Sequence, residues 1–516
     1  MVNGIIVNKF CPFGKPVVTI VVFSQQNLYT IWFLNYIIGV MGRNIPFKKL
    51  IAMGLVTASC LSCFGCGADD DVGVPTAIEN SQTDNEANAE SPPGESDSSI
   101  YIEETDQTGE GTEEARGEPI LRDAVGEKLG GFIGCAVTGS EIDDPLVWEI
   151  ITTQFNAVTL GNELKPDALF NYSTTYCPGT ETVEFNGETM VVPVMNYSRA
   201  EKILDMILDW NNENPDRQIK VRGHVLVWHA QTPEWFFHVD YDKSQPYVDK
   251  DTMDKRLEWY IATVLGHFTG EDSKYKDLFY GWDVVNEAIS DATNTYRSDN
   301  ENPNESLDED RHGSNSSWWH VYQSNEYIIN AFKYANKYAP ESLGLYYNDY
   351  NECNTQKRNG ILELLRVVKE EEGEPGVGTR ITAMGMQGHY GMDSPDFTAI
   401  QASIELYATV VGNVQLTEID ISASSDYDGS EEMKADEYEK QEKRYKMIYY
   451  AICSANAKDG VNVEGITFWG TVDHYSWLQS RSNLGGGNTT GLPQCPLLFD
   501  ENYEPKPCFY VFASAE

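Results

Sequence analysis

Basic residues are scarce in this 516-residue chain, where 37 Lys and Arg stand against 80 Asp and Glu for a formal net charge of −43. Phosphate recognition runs on cations, so nucleic acid and anionic membrane surfaces are excluded as partners, whereas a neutral polymer meets no repulsion. Metal-ligand spacing is missing as well. His224 and His229 lie five apart on an extended run, which predicts side chains on opposite faces, and no HExxH pattern accompanies them. Neither a metal nor a cofactor is therefore expected. Cys135, Cys177, Cys353, Cys453, Cys495 and Cys508 are scattered without ligand spacing, and pairing among them cannot be read from sequence. The run Gly485-Gly486-Gly487 lacks the strand and lysine of a phosphate loop. Long apolar runs are short too: Leu50 to Val56 is not long enough to span a bilayer.

Aromatic residues are plentiful, with 11 Trp and 29 Tyr. Most of them belong to a core, but rings also pack well on the C–H faces of sugars. Near the start, Arg43, Lys48 and Lys49 precede the apolar run, and small residues and cysteines follow it, the layout of an export signal. The stretch Ser62 to Cys66, running into Asp69, Asp70 and Asp71, resembles a bacterial lipoprotein signal. Residues 1–66 are read as an extension plus this signal, with Met41 as the expected start, a membrane anchor within 1–40 as the alternative, and Cys66, ahead of Cys63 and Cys60, as the lipidated residue. The resulting expectation is an exported, monomeric outer-membrane lipoprotein at the cell surface, touching membrane only through its anchor. Residues 67–118 are acidic and polar with Arg116 as their one base, so they bury too little apolar surface to order and are read as a disordered linker.

From 119 to 516 short apolar runs alternate with amphipathic helical patterns, which predicts a parallel α/β architecture. Eight strands are expected near 130–137, 155–162, 220–228, 278–286, 342–348, 381–388, 413–420 and 464–470. Helices are expected over 199–211, 253–268, 326–338, 356–369 and 436–456, with an inserted hairpin in 171–195 and a long polar loop in 288–322. Eight alternations imply a (β/α)8 TIM barrel, in which functional groups gather where strands end. The polar clusters do fall there: Asn162, Glu163 and Lys165; His224, Trp228 and His229; Glu287; Asn348 and Asp349; Gln387 and His389; Glu418 and Asp420; Trp469 and Asp473.

Two of these clusters place a glutamate at a strand end, Glu287 and Glu418, 131 residues apart. Glycoside hydrolysis with retention needs two carboxyl groups about 5–5.5 Å apart. One attacks the anomeric carbon while the other protonates the leaving oxygen. Only a fold could bring these two together, and a single strand-end acid would more simply be a solvated rim residue.

The motifs FNAVTLGNELKPD (155–167), RGHVLVWHAQTPEW (222–235), YGWDVVNEA (280–288), YYNDYN (346–351), GMQGHY (385–390), QLTEIDI (415–421), FWGTVDHYSWL (468–478) and PLLFDENYEPKP (496–507) together resemble family-10 glycoside hydrolases, the endo-β-1,4-xylanase family. The resemblance implies a retaining hydrolase acting on xylan or xylo-oligosaccharides, with Glu287 as acid/base and Glu418 as nucleophile. It further implies that Asn286 and Gln387 hold the sugar being cleaved, and that Asp420 orients His389 against the nucleophile. Asn162, Lys165, His224, Trp228, Gln231, Trp469 and Trp477 match substrate-binding positions. The chain departs from the pattern at Gly161, where an acid commonly precedes the asparagine. A β-1,4-glucanase on the same barrel and a non-catalytic polysaccharide-binding surface protein are the competing readings, since fold alone does not fix substrate.

Overall fold

The computed structural model describes residues 120–514 apart from 126–128, 130, 304–306, 308–312 and 480–492, together with Val22–Phe23 and Leu28–Tyr29. The chain divides into two units, Met1–Thr108 and Gly109–Glu516. In the first, Val22–Phe23 pairs antiparallel with Leu28–Tyr29. The expected signal around Cys66, the linker 67–118 and the glycines at 485–487 lie outside the described residues.

The second unit is the predicted barrel. Its strands are β1 (Phe132–Val137), β2 (Ala157–Leu160), β3 (Lys220–Trp228), β4 (Phe279–Asn286), β5 (Gly344–Asp349), β6 (Ala383–Met386), β7 (Asn413–Ser422) and β8 (Asn462–Phe468). Each pairs in parallel with the next. The β8–β1 pairing closes the ring. Closure buries both faces of most strands, one against the barrel interior and the other against helices, which is why the strands read as apolar runs and not as alternations. Around them lie α1 (Pro145–Gln154), α2 (Ser198–Glu213), α3 (Lys250–Thr269), α4 (Glu326–Tyr338), α5 (Thr355–Glu370), α6 (Phe397–Val411), α7 (Glu431–Asn456) and α8 (Pro507–Ala513).

Local chemistry sets the helix starts. Asp144, Asp249, Asn354 and Asp396 each accept a backbone N–H from the first turn of α1, α3, α5 and α6, satisfying donors that would otherwise have no partner. The expected hairpin is present as Thr180–Phe185 paired with Glu188–Pro193. Helix α7 starts at Glu431, before the predicted 436, and the polar loop 288–322 contains a helix, Ser317–Tyr322. That helix was hidden because its signal is only six residues long, capped by Ser316.

The barrel interior carries a buried ion pair beneath the site. Arg222 on β3 binds both Asp283 oxygens and stacks 4.0 Å over the Tyr346 ring. Asp283 Oδ2 in turn accepts from His224 Nδ1 at 2.9 Å. Close packing makes this layer unforgiving: a Cβ at Gly223 would stand 2.0 Å from Trp282 Cδ2.

Candidate active site

The C-terminal ends of the strands open into a cleft of about 620 Å³. Of the residues predicted to act here, Asn162, Lys165, His224, Trp228, Gln231 and Asn286 line it. So do Glu287, Gln387, His389, Glu418, Trp469 and Trp477. Asp420 is buried behind them, in contact with His389. Among the strand-end polar residues, Glu163 and Asp473 instead hold loops. Glu163 accepts from Gly139 N at 2.6 Å, and Asp473 pairs with Lys506 at 2.9 Å. His224 and His229 both line the cleft, contrary to the opposite-face expectation. The pairing of β3 with β4 shifts register between His224 and Val227, which breaks simple alternation, and His229 lies past the strand end.

Glu418, near the end of β7, is almost wholly buried. Its Oε2 lies 3.3 Å from His389 Nε2, and its Oε1 accepts from Asn348 Nδ2 at 2.7 Å. His389 Nδ1 meets Asp420 Oδ1 at 2.9 Å, and Asp420 Oδ2 accepts from Trp477 Nε1 at 2.7 Å. Burial alone would lower the affinity of the imidazole for its second proton, but the Asp420 and Glu418 carboxylates raise the His389 pKa to about 10. Burial alone would likewise raise the Glu418 carboxyl. The hydrogen bond from His389, the nearby imidazoles of His224 and His389 and the hydrogen bond from Asn348 outweigh that and bring the pKa to about 2. Glu418 is thus held as an anion aimed into the cleft.

Glu287, directly after β4, is half-buried and held by different donors. Trp228 Nε1 donates to its Oε2 at 2.8 Å and Gln387 Nε2 to its Oε1 at 2.9 Å. An amide chain joins the two acids. Gln387 Nε2 also reaches Asn286 Oδ1 at 3.2 Å, and Asn348 Nδ2 bridges Asn286 Oδ1 at 2.9 Å to Glu418. Both neighbours donate to the Asn286 carbonyl, so its amide nitrogen is the end left to donate into the cleft.

On one flank Lys165 Nζ donates to Asn162 Oδ1 and Gln231 Oε1, each at 3.2 Å, and lies 5.1 Å over the Trp228 ring. Burial lowers the pKa of its ammonium, while Glu418 and Asp167 pull the other way. Trp469 crosses His224 edge to face at 5.4 Å, and Trp477 lies 4.8 Å from His389. Gly161 lines the same flank, where an added Cβ would press on Thr138 Cγ2 at 3.3 Å. The Thr138 methyl therefore takes up part of the room that an acid at 161 would need. Glu141 lines this stretch as well.

Sequence reasoning gave no role to Asn348, Arg297, Tyr350 or Glu141, which the fold brings to the cleft or directly onto its acids. The order YYND at the end of β5 was the available signal for Asn348, because an amide inside a wholly buried strand needs partners. Arg297 sits in a loop with no periodicity and had none.

The profile of glycosyl hydrolase family 10 matches residues 121–515. A putative endo-1,4-beta-xylanase of Caldicellulosiruptor saccharolyticus is 34% identical over 299 residues, covering 58% of this chain and 84% of that one. Endo-1,4-beta-xylanase Y of Acetivibrio thermocellus is 32% identical over 388 residues, 74% of this chain but only 31% of that much longer protein. Among solved structures, xylanase XynB of Paenibacillus barcinonensis, complexed with a conduramine derivative, superposes with a TM-score of 0.58 at 29% identity, covering 77% of this chain and 99% of that one. The CBM22-1 and GH10 modules of a Clostridium thermocellum endo-1,4-beta-D-xylanase, complexed with xylohexaose, give 0.60 at 29% identity, covering 78% and 69%. With a closed parallel barrel, two acids facing one cleft and a match across nearly all of the second unit, the chain belongs to glycosyl hydrolase family 10.

Proposed function

We propose that this protein is a retaining endo-β-1,4-xylanase in which Glu418 is the nucleophile and Glu287 the acid/base. The observation that carries this reading is the asymmetry of the two carboxylates across one cleft, one pinned as an anion with His389 against it and the other taking its hydrogen bonds from an indole and an amide. In the first step Glu418 attacks the anomeric carbon of an internal xylose while Glu287 gives its proton to the departing glycosidic oxygen. The positive charge that builds on the ring is met by Glu418 and by the hydrogen bond from Asn286 to the 2-hydroxyl, which strengthens as that charge grows. Bond formation consumes the Glu418 charge and leaves Glu287 ionised. Glu287 then takes a proton from water as the water attacks the same carbon, Glu418 leaves as carboxylate, and the starting protonation is restored.

Asn162, Lys165 and Gln231 would bind the sugar beyond the one being cleaved, with Trp228, Trp469 and Trp477 as aromatic walls and His224 beside the scissile bond. Similarity to xylanases, one of them complexed with xylohexaose, supports xylan as the polymer. Reducing-sugar release from xylan, carboxymethyl-cellulose and glucomannan tests this directly. Release from xylan alone is expected, and a folded protein that releases nothing from xylan contradicts the reading. The signal-like stretch ending at Cys66 supports a lipid-anchored, surface-exported enzyme. Cys66→Ser should then move the protein from the membrane fraction to the soluble one.

A further inference from the structure

The three residues after β4 have every backbone polar group fixed. Glu287 N donates to Asn348 O at 2.9 Å, and the N–H groups of Ala288 and Ile289 both donate to the Tyr347 hydroxyl, at 3.0 and 3.2 Å. On the carbonyl side, Arg297 Nε donates to Glu287 O at 3.0 Å, Arg297 N to Ala288 O at 2.8 Å and Arg297 Nη2 to Ile289 O at 3.4 Å. This clamp closes on an unusual backbone. Glu287 has φ +56°, a left-handed conformation that a glutamate seldom adopts and that persists only where its surroundings hold it.

Tyr347 is the central member. A phenol has one proton to give and two lone pairs, and all three are used: two N–H groups arrive and the proton goes to Asp349 Oδ2. The other Asp349 oxygen accepts from Tyr350 N at 2.9 Å and lies 3.0 Å from Lys357 Nζ. Tyr347, Asp349 and Lys357 are fully buried, and none of them lines the cleft. A buried charged pair is not needed merely to hold a strand, since apolar residues of the same size would do so at less desolvation cost.

We propose that Tyr347 and Asp349 are positioning residues for the acid/base, fixing the 287–289 backbone so that the Glu287 carboxyl points at the glycosidic oxygen. This rests on the reading of Glu287 as proton donor. The direction of the Tyr347–Asp349 bond matters. An asparagine at 349 turned to accept from Tyr350 and Lys357 would present its amide nitrogen to the phenol, which would then have to accept a third hydrogen.

The test compares kcat/KM, which reports the first chemical step, on two substrates. Xylohexaose has a leaving group that needs the proton; dinitrophenyl β-xylobioside has one that does not. For Tyr347→Phe, kcat/KM on xylohexaose should fall on the order of tenfold to a hundredfold and be unchanged on the activated substrate. Asp349→Asn should show the same pattern with a smaller loss. It carries the test by itself if Tyr347→Phe does not fold, as judged by circular dichroism. Equal losses on both substrates, or no loss on either, overturn the proposal. Glu287→Ala, assayed in parallel, separates the two claims. If it shows no dependence on the leaving group, the donor assignment fails. If it does and the folded Tyr347 or Asp349 variant does not, only the positioning role fails.

Discussion

The ends of β4 and β7 each present one carboxylate to the cleft, and they hold it in different ways. At the β7 end Glu418 continues in extended strand to Ser422, is buried, and takes its hydrogen bonds from a cationic imidazole and an amide. At the β4 end Glu287 turns at once into a left-handed conformation, stays half-buried, and takes its bonds from an indole and an amide, both neutral. A buried cation fixes the charge of the carboxylate that it touches, whereas neutral donors bind either protonation state with less discrimination. The β7 end is therefore built around one charge state. The β4 end fixes the position of its acid through the backbone, with an indole and an amide donating to its two oxygens. The proposed double displacement needs a nucleophile that begins ionised in every cycle, and the β7 end supplies a carboxylate held in that state.

Removing each acid in turn should separate the two ends most strongly. Glu418→Ala should lower turnover of xylan by at least about 10⁴-fold while xylohexaose binding, measured by calorimetry, is retained. Turnover well above that level would show that Glu418 is not the nucleophile. Glu287→Ala should be less severe and selective, lowering kcat/KM on xylan by about 10²–10⁴-fold but sparing the first step on an activated aryl xyloside. Azide, which attacks without needing a base, should restore its turnover and give the β-glycosyl azide. If the two variants lose activity alike on both substrates, the assigned division of labour is wrong.

A smaller effect tests the charge at the β7 end. Burial works to raise the Glu418 pKa, and the hydrogen bond from His389, the nearby imidazoles of His224 and His389 and the hydrogen bond from Asn348 more than cancel it to give about 2. His389→Gln removes the cation and leaves the burial, so the pKa must rise. As the proposed nucleophile, Glu418 would act only when ionised, so activity should fail at higher pH on the acid side. The acidic limb of kcat/KM against pH should move up by about 1 unit or more. An unmoved limb would mean that some other group sets the charge of Glu418.

Much of this was legible in the sequence. The eight strands were visible because burial on both faces turns each into a continuous apolar run, and Glu287 and Glu418 stood out because such runs ended in an acid. The pairing of His389 with Asp420 came from the family resemblance, and the geometry matches it. What stayed hidden depends on register or on contacts across the ring. His229 was put on the wrong face because a register shift in β3 leaves no trace in composition. Tyr347 was indistinguishable from other core residues until β5 was set beside β4, Asn348 stood out as a strand-end polar residue without an assigned partner, and Arg297 reaches back ten residues within a loop that has no pattern to read.

Trp477 is a residue for which the sequence offered half an account. As an aromatic wall it would matter through its ring, yet its Nε1 donates to Asp420 Oδ2 at 2.7 Å. That makes it the outer member of the chain Trp477, Asp420, His389, Glu418. Trp477→Phe keeps an aromatic face and deletes the donor, which separates the two roles. If the indole acts through Asp420, the loss of one hydrogen bond of about 1 kcal/mol should lower kcat about fivefold with little change in KM, and should move the acidic limb in the direction of His389→Gln but less far. If it acts on the sugar alone, KM should rise while kcat and the limb stay put. The first outcome would extend the charge-fixing machinery of the β7 end out to the cleft wall, whereas at the β4 end the indole of Trp228 donates to the acid itself.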